Sequence, residues 1–111
     1  MRTIKMANFY TVYYKKNGMI VYDYLPPYGI KAKYFNDNYC PVVNLVAEDL
    51  EDVYSKMQGE NWSPNGEAKG LIENLKLSHT SMNIGDIIYS HNEDKYYWTS
   101  WVGFDEVALT Y

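Results

Sequence analysis

His79, Ser81 and Asp86 are the residue types of a nucleophilic triad, in which a carboxylate orients an imidazole and the imidazole takes a proton from a hydroxyl. His79 with Asp86 alone would make an acid–base pair. Neither a nucleophile elbow nor a glycine run suited to an oxyanion hole accompanies them, so the spacing favours structural work. Thr80 and Ser81 suit local backbone bonds at the start of a strand, and Asp86 suits a turn at Gly85. His79 and His91 are too few for a metal site with Asp86 or Asp94. The single cysteine, Cys40, has no partner for a disulfide and no neighbour for a zinc site. With no GxxxxGK[ST] and no GxGxxG, no nucleotide cradle is indicated, and the expectation is a protein without cofactor or metal.

A second set of residues suits recognition better than reaction. The 111 residues include thirteen tyrosines, and aromatics reach 17%, more than one small core can hide. Sheet propensity enriches the same residues. Tyr96, Trp98 and Trp101 are candidates for an exposed contact face, with Trp62 as a further one. Charge is unevenly spread: residues 1–35 carry Arg2, Lys5, Lys15, Lys16, Lys31 and Lys33 against Asp23 alone, whereas the rest is strongly acidic. Glu48, Asp49, Glu51 and Asp52 cluster, which suits a basic protein partner more than nucleic acid. Acids in a first helical turn also have a structural reason to be there, because they complement the helix dipole.

The elements that must position these groups follow from periodicity. Asn8 to Tyr14 is β-branched and aromatic, and Asn17-Gly18 is a hairpin turn signal before a returning strand, Met19–Leu25. In the first strand Phe9, Thr11 and Tyr13 share one face and Tyr10, Val12 and Tyr14 the other. Pro26 to Cys40 reads mostly as loop, with a short strand at 30–34. Pro41–Val46 is a short apolar strand. Leu50, Val53, Tyr54 and Met57 then predict a helix from about Ala47 to Gln58, ended by Gly59. Ser63 as N-cap and Pro64 at the first helical position predict a second helix, with Ala68, Leu71, Ile72 and Leu75 on its apolar face. Gly66 and Gly70 within it suggest close approach of another backbone. Two strands, 85–91 and 95–102, flank the polar turn Asn92-Glu93-Asp94, and 105–109 is a last short strand. The fold class expected is α+β: one domain over 1–111, a mainly antiparallel sheet with two amphipathic helices packed on one face.

Leu50-Glu51-Asp52-Val53-Tyr54, His79-Thr80-Ser81-Met82-Asn83-Ile84-Gly85-Asp86-Ile87-Ile88, Tyr96 and Gly103-Phe104 together resemble a group of small uncharacterised proteins of phages, plasmids and other mobile elements. Those share a Leu-x-x-Val-[Phe/Tyr] helix, a Ser-[Val/Met]-Ser-Val-Gly-Asp-Val-Ile motif and a later Gly-Phe. The likeness spans about 47–107; Asn83 and Ile84 depart from the commoner Ser and Val. A second likeness, to the YodL-like domain of conjugative elements, rests on the same motif. The resemblance implies a phage or mobile-element accessory protein that binds a host protein, as in host takeover or anti-defence, and not a reaction. The alternative is an aromatic-platform module for single-stranded nucleic acid or a planar ligand. No apolar run is long enough to span a membrane, and Met1–Met6 lacks a secretory h-region, so an intracellular, cytoplasmic protein is expected.

Overall fold

The computed structural model describes residues 7–16 and 29–110. Among them the chain runs β1 (Asn8–Lys15), β2 (Gly29–Lys31), α1 (Ala32–Asn38), β3 (Tyr39–Ala47), α2 (Leu50–Lys56), α3 (Gly59–Trp62), α4 (Lys69–Asn74), β4 (Ile87–Ser90), β5 (Lys95–Thr99) and β6 (Phe104–Thr110). The strands form one sheet in the order β2-β6-β5-β4-β1-β3. All pairings are antiparallel except β2 on β6. The α+β class is as expected. The predicted returning strand, Met19–Leu25, and the Asn17-Gly18 turn lie outside the described residues; β1 pairs with β3 on one side and β4 on the other.

The period of two in β1 sorts the sheet into two faces, as expected for half-buried strands. Tyr10, Val12 and Tyr14 join Ile88 in a core beneath α2 and α4, which contribute Val53 and Ile72, with Met57 and Leu77 just beyond their ends. The opposite face carries a smaller core of Ile30, Phe35, Tyr39, Ile87, Trp98 and Val107. Its cover is α1, in the stretch predicted as loop. That helix has no acid in its first turn and no side-chain cap, so local signals for it are absent; burial of Phe35 among Tyr13, Tyr39 and Tyr96 supports it instead.

The second predicted helix starts later than its cap signal suggested. Ser63 Oγ accepts the Ala68 amide across a turn at 2.8 Å, and α4 begins only at Lys69. Gly66 lies in that turn with φ +83°, where glycine is favoured for conformation. A Cβ at Gly66 or Gly70 would meet nothing within 4 Å, so the close-approach reading of this pair is corrected. The helix closes with a Schellman pattern: the Leu77 amide donates to Ile72 O at 3.0 Å, and Lys76 takes the left-handed position at φ 57°.

Candidate functional site

The stretch between α4 and β4 delivers Asp86 into the interior, 1% exposed. Gly85 makes the turn at φ +92°, its amide donating to Thr99 O at 2.9 Å while the Thr99 amide donates to Asp86 O at 3.0 Å. The Asp86 carboxylate then collects three donors, one from β1 and two from its own stretch. Its Oδ1 accepts the Lys15 amide at the end of β1; its Oδ2 accepts the Asn83 amide and His79 Nε2, all at 2.8 Å. Burial without partners would be costly for a carboxylate, and these three donors replace its water.

His79 lies flat on Tyr14, centroids 4.5 Å apart at 16°. The Tyr14 hydroxyl donates to Thr80 O at 2.7 Å, and Tyr39 donates to Gly85 O at 2.6 Å. Burial, seconded by the Asp86 charge, pushes both phenols well above the ordinary tyrosine range. The histidine–carboxylate pair is therefore assembled, inside an aromatic wall. Ser81 does not join it: its Oγ accepts the Gly59 amide at 2.7 Å, tying α3 to this stretch. The hydroxyl near the other ring nitrogen of His79 is that of exposed Ser78, at 3.5 Å. Asp86 thus acts as a knot joining β1, the Gly85 turn and His79. Of the other motif residues, Phe104 opens β6 and packs against the helix-covered core, and Gly103 O accepts the Ser100 amide at 2.8 Å.

The second candidate is the sheet face opposite α2 and α4. Rings run across it in contact: Phe9 to His91 at 4.5 Å, His91 to Tyr89 at 4.7 Å, Tyr89 to Tyr96 at 4.6 Å, and Tyr96 to Phe35 at 5.3 Å. Cross-strand register explains the line, since Thr11 faces Tyr89 and Tyr89 faces Tyr96. At the α1 end the rings enclose a depression of about 390 Å³ lined by Tyr13, Phe35, Tyr39, Pro41, Tyr96 and Leu109. At the other end Phe9 is 42% and Val46 55% exposed. Between them Thr11 is buried, its Oγ1 within 2.6 Å of Asn44 Oδ1 and 2.7 Å of His91 Nε2.

The predicted contact residues divide. Tyr96 is half-buried in the ring line, whereas Trp98, on the same face, is only 4% exposed and belongs to the core. Trp62 is half-buried against the other core, its Nε1 donating to Thr80 O at 3.0 Å. Trp101 is exposed in the β5–β6 turn. Among the acids, Asp49 caps α2 by accepting the Asp52 amide at 2.8 Å, and Asp52 accepts the Glu48 amide and both bonds from Lys56 Nζ. These bonds hold the Asp52 carboxyl below its usual range, led by Lys56. Glu51 is exposed on the first turn. Phe9, Val46, Tyr89 and His91 were missed as surface candidates, although the alternation of β1 already placed Phe9 with Tyr13.

No protein family, curated protein or solved structure matches the chain.

Proposed function

We propose that this protein is a non-enzymatic accessory protein of a phage or mobile element that binds a host protein through its aromatic sheet face and the acidic turn beside it. The observation carrying this reading is the uncovered end of the ring line, where Phe9 and Val46 lie exposed side by side in register. Large rigid rings supply contact area at little cost in conformational entropy. The structural bonding of Asp86 supports the same reading, because its oxygens hold two backbone amides and His79 in place. The resemblance of 47–107 to mobile-element proteins supplies the biological setting.

Affinity capture from bacterial lysate with mass spectrometry tests it, comparing the wild type with Phe9→Ala/Val46→Thr. A partner enriched on the wild type and reduced about tenfold or more on the variant, a loss of about 1.4 kcal/mol, is expected. Equal recovery on both would remove the aromatic face from the proposal.

A second reading is a stacking platform for single-stranded nucleic acid. The ring line favours it, but Lys95 shares a face with Ser90, opposite Tyr96, and pairs with Glu106 at 3.6 Å. Retention on a single-stranded DNA resin that falls steeply with salt would favour this reading over the first.

A further inference from the structure

We propose that the outer edge of β3 accepts an extended segment of the protein partner as an added antiparallel strand, basic at its N-terminal end and apolar where it passes Phe9 and Val46. This rests on the binding reading and names its mode.

Backbone direction in β1 fixes which groups of β3 face outward. Phe9 O accepts the His91 amide, and the Lys15 amide reaches Asp86, so the odd-numbered residues of β1 turn toward β4. The even-numbered ones turn toward β3, as the Lys16 amide does in reaching Asn38 O at 2.9 Å. Tyr10 and Val12 face Leu45 and Val43, so the N–H and C=O groups of Asn44 and Val46 point away from the sheet. Among the described residues nothing takes up these groups.

The two edges of the sheet differ in ways that matter for strand addition. β2 offers three residues, whereas β3 offers nine, none charged. Lysine, a common guard of exposed edges, is missing from β3. Pro41, which lacks a donor, and the bulge between Val12 and Tyr13 guard one end. Among the described residues the other end carries no such guard, and it runs into Asp49 and Glu51. An antiparallel partner would begin beside those acids, so charge complementarity calls for lysine or arginine early in the segment. Phe9 and Val46 then meet its apolar residues on the ring-bearing face.

Amide hydrogen exchange with a synthetic probe, two lysines followed by alternating valine and threonine, tests this. In the free protein the Asn44 and Val46 amides should exchange quickly, and the probe should slow both about tenfold or more, a protection equal to about 1.4 kcal/mol. A probe beginning with two glutamates should bind more weakly. Val46→Pro removes one outward amide and no polar side-chain contact, and should abolish protection. Methylating alternate backbone amides of the probe should do the same with the protein unaltered.

Protection already present in the dilute free protein, protection that grows with protein concentration because a second copy occupies the edge, or no slowing by the probe would each overturn the proposal. So would equal protection by the methylated probe. A host partner still captured by Val46→Pro, yet lost by Phe9→Ala/Val46→Thr, would overturn strand addition and leave the aromatic face standing. Capture unaffected by either would remove both.

Discussion

Asp86 ties the end of β1 to the stretch before β4 through three bonds to one buried carboxylate. Replacing it with alanine would leave the Lys15 and Asn83 amides and His79 without their acceptor in a buried place. A loss of about 3 kcal/mol or more is expected, read as a lower urea midpoint at unchanged slope. His79→Gln should cost about 1 kcal/mol by the same measurement, since it removes one bond and the stacking on Tyr14 but leaves both amides satisfied. A catalytic role would be revealed if His79→Gln left stability intact yet abolished a biological effect that Phe9→Ala/Val46→Thr spared.

Tyr14 and Tyr39 add a pH dependence of definite sign. Both phenols are raised above the ordinary tyrosine value of 10.0, chiefly by burial. Below pH 10 the folded and unfolded chains hold these protons equally, so nothing changes. Above it the unfolded chain releases them and the folded chain does not, so stability falls as pH climbs through the range between the two values. Tyrosinate absorbance should rise in two stages, exposed rings first and these two only as far-ultraviolet dichroism collapses. Full titration with the dichroism intact would contradict the burial described.

At the scale of elements, α2 was legible in existence because its signals are local, Leu50, Val53 and Met57 at helical spacing and acids in its first turns. It runs only Leu50–Lys56, however, because Ala47 belongs to β3 and Gly59 opens α3 instead of ending the helix. Helix α4 was legible in existence but not in its start. Ser63 does bond an amide, but across a turn bent by Gly66. Helix α1 was not legible, because Phe35 is its one buried residue and the rings it meets come from β1, β3 and β5, distant in sequence. The same held for the site. The pairing of His79 with Asp86 could be suspected from spacing, whereas the ring line needs cross-strand register that no single strand displays.

The left-handed position after α4 offers a test at this scale. Lys76→Gly should stabilise the protein by up to about 1 kcal/mol, because glycine takes φ 57° without Cβ strain. Gly59→Ala should destabilise, since its Cβ would stand 3.1 Å from Ser81 Oγ, the atom that accepts the Gly59 amide. Thermal melts of the two variants should move in opposite directions.

For the whole molecule, Ile87 and Ile88 show how one sheet serves two cores. Neighbours in sequence and both fully buried, they point into opposite layers. Ile87→Ala and Ile88→Ala should each cost about 2–5 kcal/mol. If the two layers melt as one cooperative unit, each variant lowers the urea midpoint at unchanged slope. A biphasic curve for Ile87→Ala would mean that the α1 layer opens alone.

Strand β1, the first of the described strands in chain order, occupies the interior of the sheet, and one of its two partners, β4, is not made until residues 87–90. A nascent chain therefore emerges with its most tyrosine-rich ribbon waiting for a mate some eighty positions downstream. Such long-distance closure slows refolding relative to a helical bundle of the same size. A fragment that stops short of β4 would leave one edge of β1 without its mate, an open template for pairing with another chain.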